Sequence, residues 1–317
     1  MKYVKQVFKM KIVLITVLGL LIAGLGLAGC GASQPAVEPT SAPAAEVVVG
    51  LALSTLDNPF FVSLKEGAEE AAKRTDVKLV VQDAKDDAAR QASQVQAMID
   101  DGVSALLINP VDGDAIVATI EAANAANIPV FTIDRGAAGG KIISHIASDN
   151  VAGGQMAGDY LAELLTKKGK VVELEGSVGT SAARDRGAGF NEAMAEYADI
   201  EIVARKTANF NQADGKTVFA QILADQPEIN GVFAHNDGMI LGAIEAAKEA
   251  GRADDILFVG FDAVDDAITA LESGDLAATI AQQPAEIGRL GVEAASKHLN
   301  GESLSDVIAV DLALVAE

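Results

Sequence analysis

The sequence contains no tryptophan, only three histidines and a single cysteine in 317 residues. One cysteine has no partner within the chain, so a disulfide framework is excluded. His145, His235 and His298 lie far apart, and none stands in an HExxH pattern or beside paired acids. This scarcity argues against a metal site and against nucleophilic catalysis. We therefore expect no metal, no cofactor and no catalytic residue, and a fold stabilised by burial of its apolar side chains.

Positive charge is also scarce, because 24 lysines and arginines stand against 45 aspartates and glutamates. The formal net charge of −21 is the opposite of what nucleic-acid binders present to a phosphate backbone. DNA and RNA are therefore excluded as expected partners. The chain is long enough, after its first 45 residues, for two ordinary domains.

The beginning of the chain is the one stretch where positive charge is concentrated. Four lysines precede residue 12, and residues 12–29 carry no charge. This pattern, closed by Leu27, Ala28, Gly29 and Cys30, resembles a bacterial lipoprotein signal peptide. We predict a signal peptide over residues 1–29, acylation of Cys30, and a lipid-anchored position outside the cytoplasm, on the cell surface or the periplasmic face. The alternative is an uncleaved anchor helix, because the apolar run nearly has the length that spans a bilayer.

Residues 31–45 are rich in proline, alanine and serine and contain one charged residue, Glu38. A segment of this composition does not form a packed core. We predict that residues 30–45, beginning with the acylated Cys30, form a flexible linker. The protein would then contact the membrane only through its lipid anchor.

From residue 47 onward, short apolar runs rich in β-branched residues alternate with helical segments. Continuous apolar runs predict strands covered on both faces, and Ile116, Ile120 and Ala123 mark one stripe of a helix between them. The runs form two series, at 47–53, 77–81, 104–109 and 128–133, and at 170–176, 200–204, 231–235 and 256–260. This βαβ alternation predicts an α/β protein with two doubly wound, Rossmann-like domains, each built on a parallel sheet.

Polar side chains follow several of these runs, where ligands of open α/β sheets bind. Asp134 and Arg135 follow one run, Asp262 ends another, and Arg186 stands in a helical segment. Carboxylates and guanidinium groups can each bind two neighbouring hydroxyl groups in a fixed geometry. Because the two acids offset the two arginines, an uncharged polyol fits better than a phosphate or an amino acid. The alternative for each of these residues is an ion pair at the surface or between the domains.

Phenylalanines accompany the polar groups and are candidate walls for the apolar face of a sugar. Phe60 and Phe61 follow Asn58 and Pro59 at the predicted start of a helix. Successive helix positions point about 100° apart, so we predict that the two rings do not face one core and that at least one lines a pocket.

Seven motifs stand in the order and spacing typical of one family: STLDNPFF, LLINPVDGDA, ANIPVFTIDR, SHIASDN, GTSAARDRG, VGFD and LAATIAQ. Through them, residues 46–317 resemble the sugar-binding proteins with the type I periplasmic binding protein fold. The resemblance implies hydrogen bonds to the sugar from Asn58, Asp134, Arg135, Arg186, Asn236, Asp262 and Gln282. It also implies stacking by Phe60, Phe61 and Phe210, with Ser54, Asn109 and Phe261 lining the same cleft.

The resemblance further implies D-ribose or a similar monosaccharide as ligand, and delivery of the sugar to the transmembrane subunits of an ABC importer. It implies an N-terminal lobe of residues 46–148 plus 283–311 and a C-terminal lobe of residues 149–282 plus 312–317. Three strands crossing near residues 148–149, 282–283 and 309–311 would act as a hinge, and the lobes would close around the ligand. The protein is expected to be a monomer.

Two positions depart from the family pattern, since Asp57 stands where an amide is expected and His235 where glutamine is frequent. Neither is expected to touch the ligand-contacting set. The alternative roles are presentation of the sugar to a chemoreceptor or sensor kinase, transcription regulation, and catalysis. No helix-turn-helix precedes Val47, and an enzyme would need a poised acid/base pair where these carboxylates are expected to pair with arginines.

Overall fold

The computed structural model describes residues 46–316. The predicted signal peptide, the acylated Cys30 and the linker up to residue 45 lie outside the described residues. Within residues 46–316, no helix combines the length and the apolar character needed to cross a bilayer.

Strands and helices alternate through the described part of the chain. The strands are β1 (Val47–Leu53), β2 (Val77–Asp83), β3 (Ala105–Ile108), β4 (Val130–Ile133), β5 (Ser144–Ser148), β6 (Lys168–Glu175), β7 (Asp199–Thr207), β8 (Gly231–Ala234), β9 (Leu257–Asp262), β10 (Ala278–Ala281), β11 (Val307–Val310) and β12 (Ala313–Ala316). The α-helices are α1 (Pro59–Thr75), α2 (Ala88–Asp100), α3 (Val117–Ala125), α4 (Asn150–Leu164), α5 (Ser181–Ala195), α6 (Gln212–Asp225), α7 (Asp237–Glu249), α8 (Asp265–Glu272) and α9 (Pro284–Leu299).

The strands form two sheets of six strands each. The first sheet has the order β11-β5-β4-β3-β1-β2, and the second has the order β12-β10-β9-β8-β6-β7. The prediction of two doubly wound parallel sheets is confirmed, with one difference at the edge of the second sheet. There β12 runs antiparallel to β10, because only Asp311 and Leu312 separate it from β11 and no crossover helix reverses the chain.

Both sheets are covered by helices on both faces, which explains why their strands are continuous apolar runs. In β1, the fully buried Leu51 and Leu53 pack with α1 and α9, whereas Ala52 packs with α2 and α3 on the opposite face. In the second sheet, Val172 and Leu174 pack with α6 and α7, and Val171 packs with α4 and α5. Each sheet therefore has two apolar layers.

The chain passes between the two sheets three times. It leaves β5 of the first sheet at Ser148 for α4, and it leaves β10 of the second sheet at Gln282 for α9, which packs on β3, β4 and β5. The third passage joins β11 directly to β12. Two domains that are joined by three short, adjacent chain passages can rotate relative to one another about those passages.

Candidate ligand-binding site

Residues from the carboxyl ends of both sheets meet around two neighbouring cavities, which we call the inner and the outer cavity. The inner cavity has a volume of about 20 Å³, which is room for about one water molecule. The outer cavity has a volume of about 370 Å³. Six residues line both cavities: Asn58, Phe61, Arg135, Phe210, Asn236 and Asp262.

The structure brings together the side chains that the sequence analysis singled out. Ten of the thirteen candidates line the inner cavity: Asn58, Phe60, Phe61, Asp134, Arg135, Arg186, Phe210, Asn236, Asp262 and Gln282. Ser54, Asn109 and Phe261 line neither cavity and lie behind the lining. Ala182, at the start of α5, is an inner-cavity residue that sequence reasoning missed.

On the side of the first sheet, Asn109 holds Asp134 in place. Its side-chain nitrogen donates to Asp134 Oδ2 at 3.1 Å, and its Oδ1 accepts from the backbone N–H of Ser54 at 3.2 Å. Burial raises the pKa of Asp134, while the neighbouring Arg135 and Arg186 act in the opposite direction. Asn109 is therefore a support for a buried carboxylate.

The Arg135 guanidinium contacts two aromatic rings from opposite sides of the cleft, Phe61 in α1 and Phe210 in the loop after β7. Its central carbon is 5.2 Å from the centre of the Phe61 ring and 5.3 Å from that of Phe210. Its nearest carboxylate contact is Asp134, with 3.9 Å between Nε and Oδ2. Burial lowers the pKa of Arg135 and Asp134 opposes this, but a guanidinium keeps its charge in proteins. Phe210 therefore links the second sheet to a cation of the first.

On the side of the second sheet, Arg186 is fixed by three different groups. Its Nε donates to Asn150 Oδ1 at 2.8 Å, and its Nη1 donates to the backbone oxygen of His235 at 2.5 Å. Its guanidinium carbon lies 3.8 Å from the centre of the Phe261 ring, so Phe261 acts as a platform beneath the cation. Asn150, within the SHIASDN motif, was not among the predicted site residues.

Asp262 pairs with Arg186 and with Gln282. Its Oδ1 is 3.5 Å from Arg186 Nη1 and accepts from Gln282 Nε2 at 2.7 Å. Burial raises the pKa of Asp262 to about 6, although Arg186 and the Gln282 hydrogen bond act in the opposite direction. Gln282 Oε1 is buried and accepts no hydrogen bond from any residue within 46–316, so it is available to a ligand hydroxyl.

Two of the site amides also begin helices. Asn58 Oδ1 accepts from the backbone N–H of Phe60 at 2.9 Å at the start of α1, and Asn236 Oδ1 accepts from Met239 at 3.0 Å at the start of α7. An N-cap contact of this kind fixes the side-chain oxygen. The orientation of each amide group at the cavity is thereby fixed.

Phe60 and Phe61 differ from the sequence expectation. Both rings are buried in the core below the first sheet, with exposed fractions of 4% and 2%, and both line the inner cavity. The prediction that they would not face one core is wrong, whereas the prediction that at least one lines a pocket is confirmed. The rings contact edge to face, with centres 5.2 Å apart. At the start of α1 the cavity adjoins the core, so the same two rings belong to both.

The expectation that His235 would not touch the ligand-contacting set is also wrong. Its backbone oxygen binds Arg186, and its ring contacts the fully buried Glu173 at 3.0 Å between Nε2 and Oε1. Asp57, the other departure from the family pattern, lines the outer cavity. Within residues 46–316, no cluster of three or more histidine, cysteine or acidic side chains has the arrangement of a metal site.

Comparison with known proteins agrees with this geometry. Residues 49–303 match the family described as the periplasmic binding protein domain. The chain is 46% identical over 278 residues to the ribose import binding protein of Haemophilus influenzae, covering 88% of this chain and 94% of that protein. It is 44% identical over 290 residues to the ribose import binding protein of Bacillus subtilis, covering 91% and 94% respectively.

Solved structures give the same result for the fold. An ABC transporter periplasmic solute binding protein from Actinobacillus succinogenes with bound D-allose superposes with a TM-score of 0.80 at 35% identity, covering 86% of this chain and 98% of that chain. A solute binding protein from Bacillus halodurans with bound myo-inositol gives a TM-score of 0.82 at 29% identity, covering 86% and 94%.

Proposed function

The chain belongs to the family of periplasmic binding proteins, and from that premise we propose that it captures D-ribose, or a closely similar monosaccharide, for an ABC importer. The family acts outside the cytoplasm, and its members named above are binding proteins of transport. The protein is accordingly a binding protein and not an enzyme. Ribose is proposed over other sugars because it is the ligand in the names of the two relatives with 46% and 44% identity.

One observation carries the proposal: two buried arginines and two buried carboxylates surround a cavity that is lined by phenylalanines from both sides of the cleft. Arg135, Asp134, Arg186 and Asp262 each have at most 7% of their surface exposed. Their charges sum to zero, so an ionic ligand would be left unpaired in a buried site. Donors and acceptors in fixed planes with aromatic walls instead match the hydroxyl edge and apolar face of a sugar.

Ligand entry requires the two sides of the cleft to separate. The inner cavity of about 20 Å³ has room for far less than a monosaccharide. Two hydrogen bonds join the sides away from the three chain passages: Gly113 N–H donates to the Gly179 oxygen at 3.0 Å, and Gly136 N–H donates to Ser181 Oγ at 2.8 Å. Hinge closure over the sugar would form these bonds and exclude water from the polar contacts.

The division into lobes and the roles of individual residues are part of the proposal. The strand membership of the sheets supports an N-terminal lobe of residues 46–148 plus 283–311 and a C-terminal lobe of residues 149–282 plus 312–317. We assign hydrogen bonding to the lining polar groups Asn58, Asp134, Arg135, Arg186, Asn236, Asp262 and Gln282, and stacking to Phe60, Phe61 and Phe210. Ser54, Asn109 and Phe261 support this lining from behind.

The proposed partners follow from the role in import. The closed monomer would dock on the transmembrane subunits of the importer, and Cys30, if acylated, would hold the protein at the membrane. The same closed form could be presented to a chemoreceptor. Deleting the permease separates these roles, since loss of both uptake and the sugar response would contradict an independent chemoreceptor.

Calorimetric titration of the purified protein tests the ligand. D-ribose, D-allose, xylose, galactose and glucose are titrated into the wild type and into Arg186→Ala. We expect ribose binding in the micromolar range or tighter, about −8 kcal/mol, and its loss in the variant. Binding of a different sugar would overturn the ribose assignment, and silence across the panel would overturn the proposed function.

A further inference from the structure

A buried polar cluster lies behind the inner cavity on the side of the second sheet. Glu173, in the middle of β6, is fully buried, and its Oε2 accepts from Arg205 Nε at 2.6 Å. Asn191 donates to both carboxylate oxygens, at 3.3 and 3.2 Å. Burial would raise the pKa of Glu173, but the hydrogen bonds from His235 and Arg205, together with the charge of Arg205, outweigh it and the pKa is lowered. Glu173 is therefore a buried carboxylate that keeps its charge because it is fully paired.

The ring of His235 is held on both edges. The backbone N–H of Gly176 donates to Nδ1 at 3.2 Å, so Nδ1 carries no proton in this contact. The proton is then on Nε2, which donates to Glu173 Oε1 at 3.0 Å. This tautomer makes His235 a neutral bridge between a backbone donor and a buried carboxylate.

The backbone around His235 connects the cluster to Arg186. The His235 oxygen accepts the 2.5 Å hydrogen bond from Arg186 Nη1. Gly187, next to Arg186 in α5, lies so close to the cluster that a Cβ there would be 3.2 Å from both Glu173 Oε1 and His235 Cε1. The cluster therefore contacts both the guanidinium group of Arg186 and the backbone that carries it.

We propose that Glu173 and His235 are positioning residues for ligand binding: they fix the Arg186 guanidinium at the inner cavity without touching the ligand. Arg186 lines that cavity, whereas Glu173 and His235 line neither cavity. If the side chain of residue 235 could not bind Glu173, the peptide unit whose oxygen accepts from Arg186 would lose a contact that holds it in place. Glu173 would at the same time lose a buried hydrogen-bond donor. This inference rests on the proposed function, because it assigns both residues to the same site.

A double-mutant cycle tests whether His235 acts through Arg186. His235→Leu keeps much of the volume but cannot donate to Glu173, and we expect it to weaken ribose binding about tenfold. Arg186→Lys removes the Nη1 donor, and in that background His235→Leu should weaken binding no further. His235→Gln keeps an N–H donor and should restore affinity. The control is Val172→Ala, because Val172 precedes Glu173 in β6 but packs on the opposite face of the sheet. This variant should lower the free energy of unfolding and leave ribose affinity unchanged.

A second measurement reads the position of Arg186 without any ligand. In ¹H–¹⁵N spectra, the Nε–H that donates to Asn150 Oδ1 at 2.8 Å is assigned by its loss in Arg186→Lys. We expect His235→Leu to shift and broaden this signal, and His235→Gln and Val172→Ala to leave it in place.

Additive effects in the cycle, or an unchanged Arg186 signal in His235→Leu, would overturn the positioning role. If the wild type bound no sugar while the signal responded as expected, the proposed function would fail and the positioning role would stand.

Discussion

Asp237, the first residue of α7, offers a prediction that can be worked out quantitatively. It is fully buried, its Oδ1 accepts from Thr279 Oγ1 at 2.8 Å, and its Oδ2 accepts from the backbone N–H of Val264 at 3.0 Å. Burial, and then the charge of Asp262, raise the pKa of Asp237 to about 8. The carboxyl group is therefore protonated at neutral pH, and we expect Asp237→Asn to stabilise the protein at alkaline pH.

The magnitude follows from the difference between the folded and unfolded pKa values. The pKa of about 8 in the folded protein compares with an ordinary value of 3.8 for aspartate. Between these values the folded state holds a proton that the unfolded state has released. The associated stability is complete below the ordinary pKa and is lost as pH rises through the folded pKa, at about 1.4 kcal/mol per pH unit. Over the whole window the loss is on the order of 6 kcal/mol.

Urea unfolding at pH values from 5 to 9 provides the assay. Asparagine cannot ionise, so the free energy of unfolding of Asp237→Asn should increase relative to the wild type as pH rises, and the difference should level off above pH 8. Asp254→Asn, at an exposed position, is the control for loss of one carboxyl group and should give a flat difference. If the difference in free energy of unfolding between Asp237→Asn and the wild type did not change with pH, or changed in favour of the wild type as pH rises, a protonated Asp237 would be refuted.

Three further substitutions test the site, the helix contact behind it and the contact between the two sides of the cleft. Phe210→Ala removes the ring that covers a buried guanidinium at 5.3 Å, so we expect about tenfold weaker ribose binding by calorimetry; an unchanged Kd would contradict its role. Gly154→Ala would place a Cβ 2.1 Å from the Arg186 oxygen. It should lower the free energy of unfolding by about 1–3 kcal/mol and weaken ribose binding, and wild-type values in both assays would refute the close helix contact. Ser181→Ala removes the acceptor of the 2.8 Å bond from Gly136 N–H, so stopped-flow measurements should show about five- to tenfold faster ribose release; an unchanged rate would exclude a contribution to closure.

The apolar runs of the sequence predicted eight of the twelve strands within residues 46–316 and missed β5, β10, β11 and β12. All eight predicted apolar runs correspond to strands β1–β4 and β6–β9. The segment SHIAS of β5 has too few apolar residues to stand out. Strands β11 and β12 lie at sheet edges and are partly exposed, with Val307 at 58% and Leu314 at 38%. Only the family resemblance indicated that the chain crosses there.

The lining of the cavity was predictable because it follows a rule of position. Residues directly after parallel strands meet at one edge, so Asp134, Asp262 and Asn236 could be grouped without coordinates. What lies behind the lining follows no such rule. Glu173, within the run KVVELEG, is indistinguishable in sequence from a polar residue on a solvated face. Its burial depends on α4 and α5 covering that side of β6, and its pairing with His235 depends on the register of β6 against β8.

The distribution of charge between the two sides of the cleft indicates how the site can open. Asp134 and Arg135 belong to the first sheet, and Arg186 and Asp262 to the second, so each side contains one acid and one base. Separation of the sides therefore leaves each of these two arginines with a carboxylate on its own side. Contacts that stabilise the closed form include the ring of Phe210 over Arg135 and the hydrogen bonds between the lobes, and the ligand adds to them. An uncharged ligand that bridges both neutral pairs stabilises the closed form, whereas a charged one would leave a buried charge without a partner.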